Sequence, residues 1–366
     1  MDIESFLASA GELLAVPSTA DRPGDLHRVL GLVLDFVGPG FTVEKFESGG
    51  KPSALLYHGD RRPHFPVILN AHLDVVPADP GQFRPRRDGT RLYARGAQDM
   101  KVSALAQAQV FRELAGSLPY PLALQLVTDE EVGGRDGTLH QLEQGVSGDF
   151  VIIGEHSGLR IVTDSKGIVQ ATLRSQGRGG HGAYPWLGDN ALVKLHHSLA
   201  RVLAAYPVPA AEAWQTTVNI ARIETPNQAR NQIPAQALAW LDIRFPAEDT
   251  DLDGKSIQEV TAHLAAFCEP GVTPVVDSAD PPHHASRDST QVRALQQAAR
   301  DQGYSPDFLR KHGAGDARHY YQRGADAVAF GVGGDGQHGD GEYADITTIE
   351  PYYRALAAFV RDPGLR

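Results

Sequence analysis

Residues 66–77 read PVILNAHLDVVP, an apolar run centred on 67–69 that breaks into a turn carrying His72 and Asp74 before Pro77 ends regular structure. In extended backbone, residues two apart point the same way. The Asp74 carboxylate is therefore expected behind the His72 imidazole, taking one ring proton and leaving the other nitrogen for a metal ion. By itself HxD reads equally as a turn satisfied by its own hydrogen bonds. Three more apolar runs lead into acids or imidazoles: PLALQLVT at 121–128 into Asp129, Glu130 and Glu131, FVIIG at 150–154 into Glu155 and His156, and AVAFGV at 327–332 into a glycine-rich loop with His338 and Glu342. Asp99, within ARGAQDMK, falls at or just before a helical periodicity from 100 to about 114, where an acid also serves as a cap.

Adjacent acids after an apolar strand repel one another and lose hydration when crowded, so their burial requires a cation to offset them. His72, Asp99, Glu131, Glu155 and His338, with Asp74 and Glu130 alongside, offer too many donors for one tetrahedral zinc. Two imidazoles and three carboxylates instead suit two divalent ions, each with one His and one terminal carboxylate, sharing a bridging carboxylate. Such a pair lowers the pKa of a water between the ions toward neutrality. A carboxylate that is not a ligand can then take that water's proton and pass it to a leaving amine. The chemistry this favours is amide hydrolysis. HExxH, GxSxG and P-loop patterns are absent, which removes the main rival hydrolase and nucleotide-binding mechanisms.

The elements that must position these groups follow an α/β rhythm. Helical periodicity at 3–15 and 25–37 precedes strand-like segments at 41–46 and 54–59, and in open α/β sheets sites gather outside the carboxyl ends of the strands. Between about 163 and 277 the pattern becomes alternating strands (SKGIVQATLRSQG, WQTTVNIARIET, AQALAWLDIRFP) with two amphipathic helices. That is a small α+β domain inserted into the first. After a Pro-rich join at 280–283 the first rhythm resumes, with helices near 289–301, 315–323 and 350–361. We therefore expect a discontinuous catalytic domain of residues 1–163 and 280–366, built on a mixed sheet, and an inserted domain of residues 164–279.

The 366 residues exceed one comfortable core, in keeping with two domains. Acidic residues outnumber basic ones by 45 to 34 without a Lys/Arg block, which argues against nucleic-acid and anionic-membrane partners. One cysteine, Cys268, excludes an intrachain disulfide and a thiolate zinc cluster. The acidic, amphipathic start and the lack of a membrane-length apolar run lead us to expect a cytoplasmic protein.

Five blocks, NAHLDVVP, ARGAQDMK, TDEEVGG, IIGEHSG and GQHGDGEY, occur in order over nearly the whole chain and resemble the M20 family of dinuclear zinc metallopeptidases and deacylases. The resemblance implies two zinc ions, with cobalt or manganese as alternatives. It implies that Asp99 bridges them, that His72 and Glu155 complete one site and Glu131 and His338 the other, that Asp74 orients His72, and that Glu130 is the general base and acid. It also implies that the inserted domain is a lid and homodimer contact. Within it, SQGRGGHGAYPWLGDNAL places His181 where a partner subunit's histidine stabilises the oxyanion, and ARNQIPAQALAWLDIR makes Asn231 and Arg244 carboxylate-binding candidates. GAGDARHY adds Gly315 and Asp316 on the substrate side. Asn70, Val102, the GEHS sequence and the absence of Gly-Gly ahead of NQIP depart from the family pattern and leave the acyl group open. The implied substrate is an N-acyl amino acid or small peptide. The alternatives are a dipeptidase or aminopeptidase of the same family, and a catalytically silent metabolite-binding relative.

Overall fold

The computed structural model describes residues 1–305 and 307–365. Its central strands are short apolar runs buried on both faces, as parallel strands are. Leu122–Val127 is buried throughout, and in Phe65–His72 only Pro66 is partly exposed. Phe65–His72 runs parallel to Leu122–Val127, with His72 opposite Val127, and parallel to Gly148–Ile153, with Leu69 opposite Ile152. Asp326–Ala329 continues the set, parallel to Gly148–Ile153 with Ala329 opposite Ile153. At the other side Lys51–Tyr57 pairs antiparallel with Leu122–Val127 and with Thr42–Ser48. The nine-stranded sheet is thus mixed, and the chain is an α/β protein.

Alternation along the strands feeds two cores. Leu69, Leu124 and Ile152 pack on one face with Phe111 of the helix Val102–Leu114 and with Leu356 and Phe359 of Ile349–Val360. Their neighbours Ile68, Ala123 and Val151 point the other way, toward Ala317 and Tyr320 of the short helix Ala317–Tyr321. Lys101 is fully buried at the head of the helix Val102–Leu114, and its Nζ donates to the Val16 carbonyl at 2.8 Å and the Leu13 carbonyl at 3.3 Å. Burial lowers its pKa to about 7. The lysine thereby ties the end of the helix Ile3–Leu14 to the segment that carries Asp99.

Two compact units divide the chain: Met1–Asp164, His284–Arg310 and Gly315–Arg366 form one, Ser165–His283 and Lys311–Ala314 the other. The second has a four-stranded antiparallel sheet in the order Thr217–Glu224, Gln236–Phe245, Gly167–Gln176, Val272–Asp280. Its strand Gln236–Phe245 buries Ala237, Ala239, Leu241, Ile243 and Phe245 with a strict period of two, against Leu195 and Leu199 of the helix Ala191–Ala205 and Val260 and Leu264 of Ile257–Ala265. Among the described residues no helix is long and apolar enough to cross a membrane.

Candidate metal centre

Because the four strands are parallel neighbours, their carboxyl ends lie side by side, and the residues just beyond them converge. His72 is the last residue of its strand. Glu130 and Glu131 form a single 3-10 turn just after Leu122–Val127, and Glu155 comes two residues after Ile153. His338 reaches the same place from the loop beyond Asp326–Ala329, with its backbone at φ +60°, a left-handed conformation uncommon for a side-chain-bearing residue.

Asp99 enters differently from the helix cap that its position suggests. The regular helix begins only at Val102 and its first turn receives no side-chain cap. Asp99 itself is extended, at φ −121° and ψ 93°, and turns its carboxylate into the crevice. Its Oδ1 lies 3.0 Å from His72 Nε2, and its Oδ2 lies 3.3 Å from His338 Nε2. His72 Nε2 is also 3.3 Å from Glu155 Oε1, and His338 Nε2 is 3.1 Å from Glu131 Oε2. One carboxylate thus faces two imidazoles, and each imidazole faces one further acid. Three overlapping sets of donors within reach of one ion result: His72, Glu130 and Glu155; Asp99, Glu131 and His338; and Asp99, Glu155 and His156.

Asp74 is fully buried, but the carbonyl of its own main chain is the nearer partner of His72 Nδ1, at 3.1 Å, and the carboxylate lies 3.5 Å away. The carboxylate oxygens accept the amides of Glu130 at 3.2 Å and Glu131 at 3.0 Å.

The electrostatics of this crowd favour positive charge among the acids. Burial, reinforced by Glu155, Asp316 and Asp99 and only partly offset by His72, holds the Glu130 carboxyl well above the usual carboxylate range. Burial also lifts Glu131, despite its contact with His338, and pushes Asp129 up to about 7. His72 is held well above an ordinary imidazole because Asp74, Asp99 and Glu155 outweigh its burial, and His338 is lifted to about 10 by Asp99 and Glu131. Asp99 is drawn well below its usual range because the two imidazoles overcome burial. Glu131 Oε1 is buried without a hydrogen-bond partner. Imidazole protons that compensate acids, plus an orphaned carboxylate oxygen, form a donor set that fits divalent cations.

Gly315, another of the expected site residues, lies beside Glu130: a Cβ at this position would come within 4.0 Å of Glu130 Oε1. Asp316, expected on the substrate side, is instead buried behind the acidic turn, where it takes the Thr138 hydroxyl and closes against Gly134. In the second unit, His181 and Asn231 are exposed neighbours: the Asn231 carbonyl accepts the Gly182 amide at 2.6 Å, and His181 Nδ1 accepts the Ala183 amide at 3.1 Å. Arg244, expected to grip a substrate carboxylate, already forks onto Asp242 through Nε at 2.6 Å and Nη2 at 3.0 Å. An incoming carboxylate would have to share or displace that acid. Sequence reasoning missed Gln337, whose Nε2 donates to Asp99 Oδ2; its only signal is that it neighbours His338.

Comparison with known proteins bears on this geometry. A family model described as Peptidase family M20/M25/M40 matches residues 68–362. A succinyl-diaminopimelate desuccinylase of Gluconobacter oxydans (strain 621H) is 29% identical, over 98% of this chain and 97% of its own. That of Sphingopyxis alaskensis is 32% identical, over 69% and 71%. Among solved structures, a tripeptidase from Staphylococcus aureus subsp. aureus Mu50 superposes with a TM-score of 0.80 at 17% identity, covering 99% of this chain and 98% of that one.

Proposed function

The chain belongs to peptidase family M20/M25/M40, a metal-dependent family of hydrolases, and from that membership we propose that it is a deacylase that cleaves the amide bond of an N-acyl amino acid, with N-succinyl amino acids as the first substrates to test. The observation that carries the reading is the meeting of Asp99 with both His72 and His338, each imidazole backed by its own carboxylate. In this reading Asp99 would serve both of two zinc ions, His72 and Glu155 would hold one, and Glu131 and His338 would hold the other. When bound, the ions supply Lewis-acid polarisation of the scissile carbonyl and acidify a water.

Glu130 is the residue of the acidic turn left for proton transfer. A carboxyl held high by burial is suited to take a proton from the attacking water and give it to the departing amine. Asp74 fixes the backbone of that turn through two amide bonds, so that Glu130 and Glu131 keep their relative placement. His181, by its place in the block it shares with the family, is assigned to the oxyanion, contributed by a second copy of the chain in a homodimer. Asn231, which lies against the same loop, is assigned to the substrate's carboxylate together with Arg244.

A panel of N-succinyl and N-acetyl amino acids alongside dipeptides, assayed with zinc supplied, tests the proposal. We expect kcat/KM for an acyl amino acid to exceed that for every dipeptide by at least about tenfold, equivalent to roughly 1.4 kcal/mol of transition-state binding. The reverse order would make the chain a dipeptidase or aminopeptidase.

A further inference from the structure

Asp99 and His338 stand on separate loops, yet their side chains are 3.3 Å apart. Those loops are held in register by a buried pair that takes no place in the donor set. Glu342 and Arg95 are each 2% exposed, and Glu342 Oε2 is paired with Arg95 Nη1. The other oxygen of Glu342, Oε1, accepts two consecutive amides, those of Gln98 at 3.0 Å and of Asp99 itself at 3.2 Å. Arg95 Nη2 turns toward the His338 side and donates to the Gly339 carbonyl at 3.3 Å, a carbonyl that also accepts Gln82 Nε2 at 2.9 Å. Main-chain bonds close the frame: the Ala94 amide donates to the Glu342 carbonyl at 3.2 Å, and the Arg95 amide to the Gln82 carbonyl at 2.9 Å.

We propose that Glu342, oriented by Arg95, is a positioning residue of the metal centre, fixing the main chain of Asp99 against that of His338 so that their donor atoms are spaced before a cation arrives. The inference rests on the two-metal reading of the crevice. It goes beyond that reading by assigning the spacing to a carboxylate that touches neither ion nor substrate. A buried ion pair is by itself weak evidence of a stabilising role, because desolvation offsets much of its attraction. The two amides held by Glu342 give it something specific to do. They belong to the segment Ala97–Lys101, whose backbone leaves helical geometry at Asp99 and Met100, so the carboxylate holds the chain where it breaks from the helix. Partners of this kind, one bond removed from a ligand, typically change metal affinity when lost.

The test compares zinc affinity, by competition with a chromophoric chelator, in the parent and in the double variant Arg95→Met with Glu342→Leu, which removes the acceptor of the two amides and both charges, leaving neither charge unpaired. The thermal midpoint of each metal-free protein is measured in parallel. A positioning role predicts that zinc affinity falls by about 10- to 100-fold, and that kcat falls while KM holds. Parent-like affinity in the folded double variant, whatever its thermal midpoint, overturns the proposal and leaves the pair a structural one. Should the double variant not fold, Arg95→Lys keeps the charge but removes the fork onto Gly339. A several-fold weaker affinity there supports the role, and an unchanged one overturns it. A parent chain that takes up no zinc would instead sink the metal reading itself, and this proposal with it.

Discussion

Asp74 holds Glu131 by the main chain, its Oδ2 accepting the Glu131 amide at 3.0 Å while its Oδ1 accepts that of Glu130 at 3.2 Å. The aspartate of the HxD pair is therefore bound more closely to the acidic turn than to the imidazole 3.5 Å away. An asparagine there has one acceptor oxygen where the carboxylate has two, so one buried amide loses its partner. Asp74→Asn is expected to lower kcat by about 10- to 100-fold, with KM little changed. Steady-state kinetics with metal content measured on the same preparation checks this, and parent-like kcat would show that the two amide bonds are dispensable.

Glu130→Ala removes the proposed proton carrier and leaves His72, Asp99, Glu131, Glu155 and His338 in place. Turnover should fall by about 10²- to 10⁴-fold or more, the usual scale of general acid–base catalysis. Elemental analysis should find the same zinc content as in the parent. Retained turnover would take the general-base role away from Glu130.

Zinc binding should strengthen as pH rises. In the metal-free chain the His338 imidazole, lifted to about 10 by Asp99 and Glu131, carries a proton at neutral pH, and Nε2 can bind a cation only once that proton has left. The metal-free state thus holds more protons than the loaded one, so lowering the pH favours it. Affinity should drop by up to about tenfold per pH unit for each proton displaced. Titration calorimetry in buffers of different protonation enthalpy should record at least one proton released per chain at pH 7, and no release would contradict the assignment of His338.

Leu69, fully buried at the middle of its strand and packed in the larger core, should tolerate truncation poorly. Leu69→Ala is expected to cost about 2–5 kcal/mol of stability in the unit that bears the metal centre. Urea unfolding monitored by circular dichroism measures it. Because the side chain points away from the crevice lining, the folded variant should keep zinc affinity close to that of the parent.

Much of this arrangement is legible in the sequence because strands buried on both faces advertise themselves as unbroken apolar runs, and in a parallel sheet the residues just past the carboxyl end of one run lie close to those past its neighbours. The arrival of His72, Glu131 and Glu155 at one crevice follows from that, whereas His338 is brought there by the path of the loop beyond Asp326–Ala329. Backbone detail is not legible in the same way. The periodicity after Asp99 suggests a helix cap, and only the extended conformation of Asp99 turns its carboxylate inward. The peptide bond between Asp99 and Met100 is cis, and nothing in the composition announces it. Nor does the sequence reveal that Asp316 is sealed behind Gly134, since that depends on packing between distant segments. The pairing of Arg244 with Asp242 could have been read: two residues apart on a strand, opposite charges share a face.

The strand Asp326–Ala329 lies directly beside Gly148–Ile153 although the entire Ser165–His283 segment intervenes in sequence. On the ribosome, His72, Asp99, Glu131 and Glu155 therefore emerge while the slot next to Gly148–Ile153 is still vacant, and the second imidazole is delivered only when the last quarter of the polypeptide docks there. Until then the chain carries the acids of the crevice with only one of the two imidazoles that face Asp99, so the pairing of both imidazoles with that carboxylate is completed last.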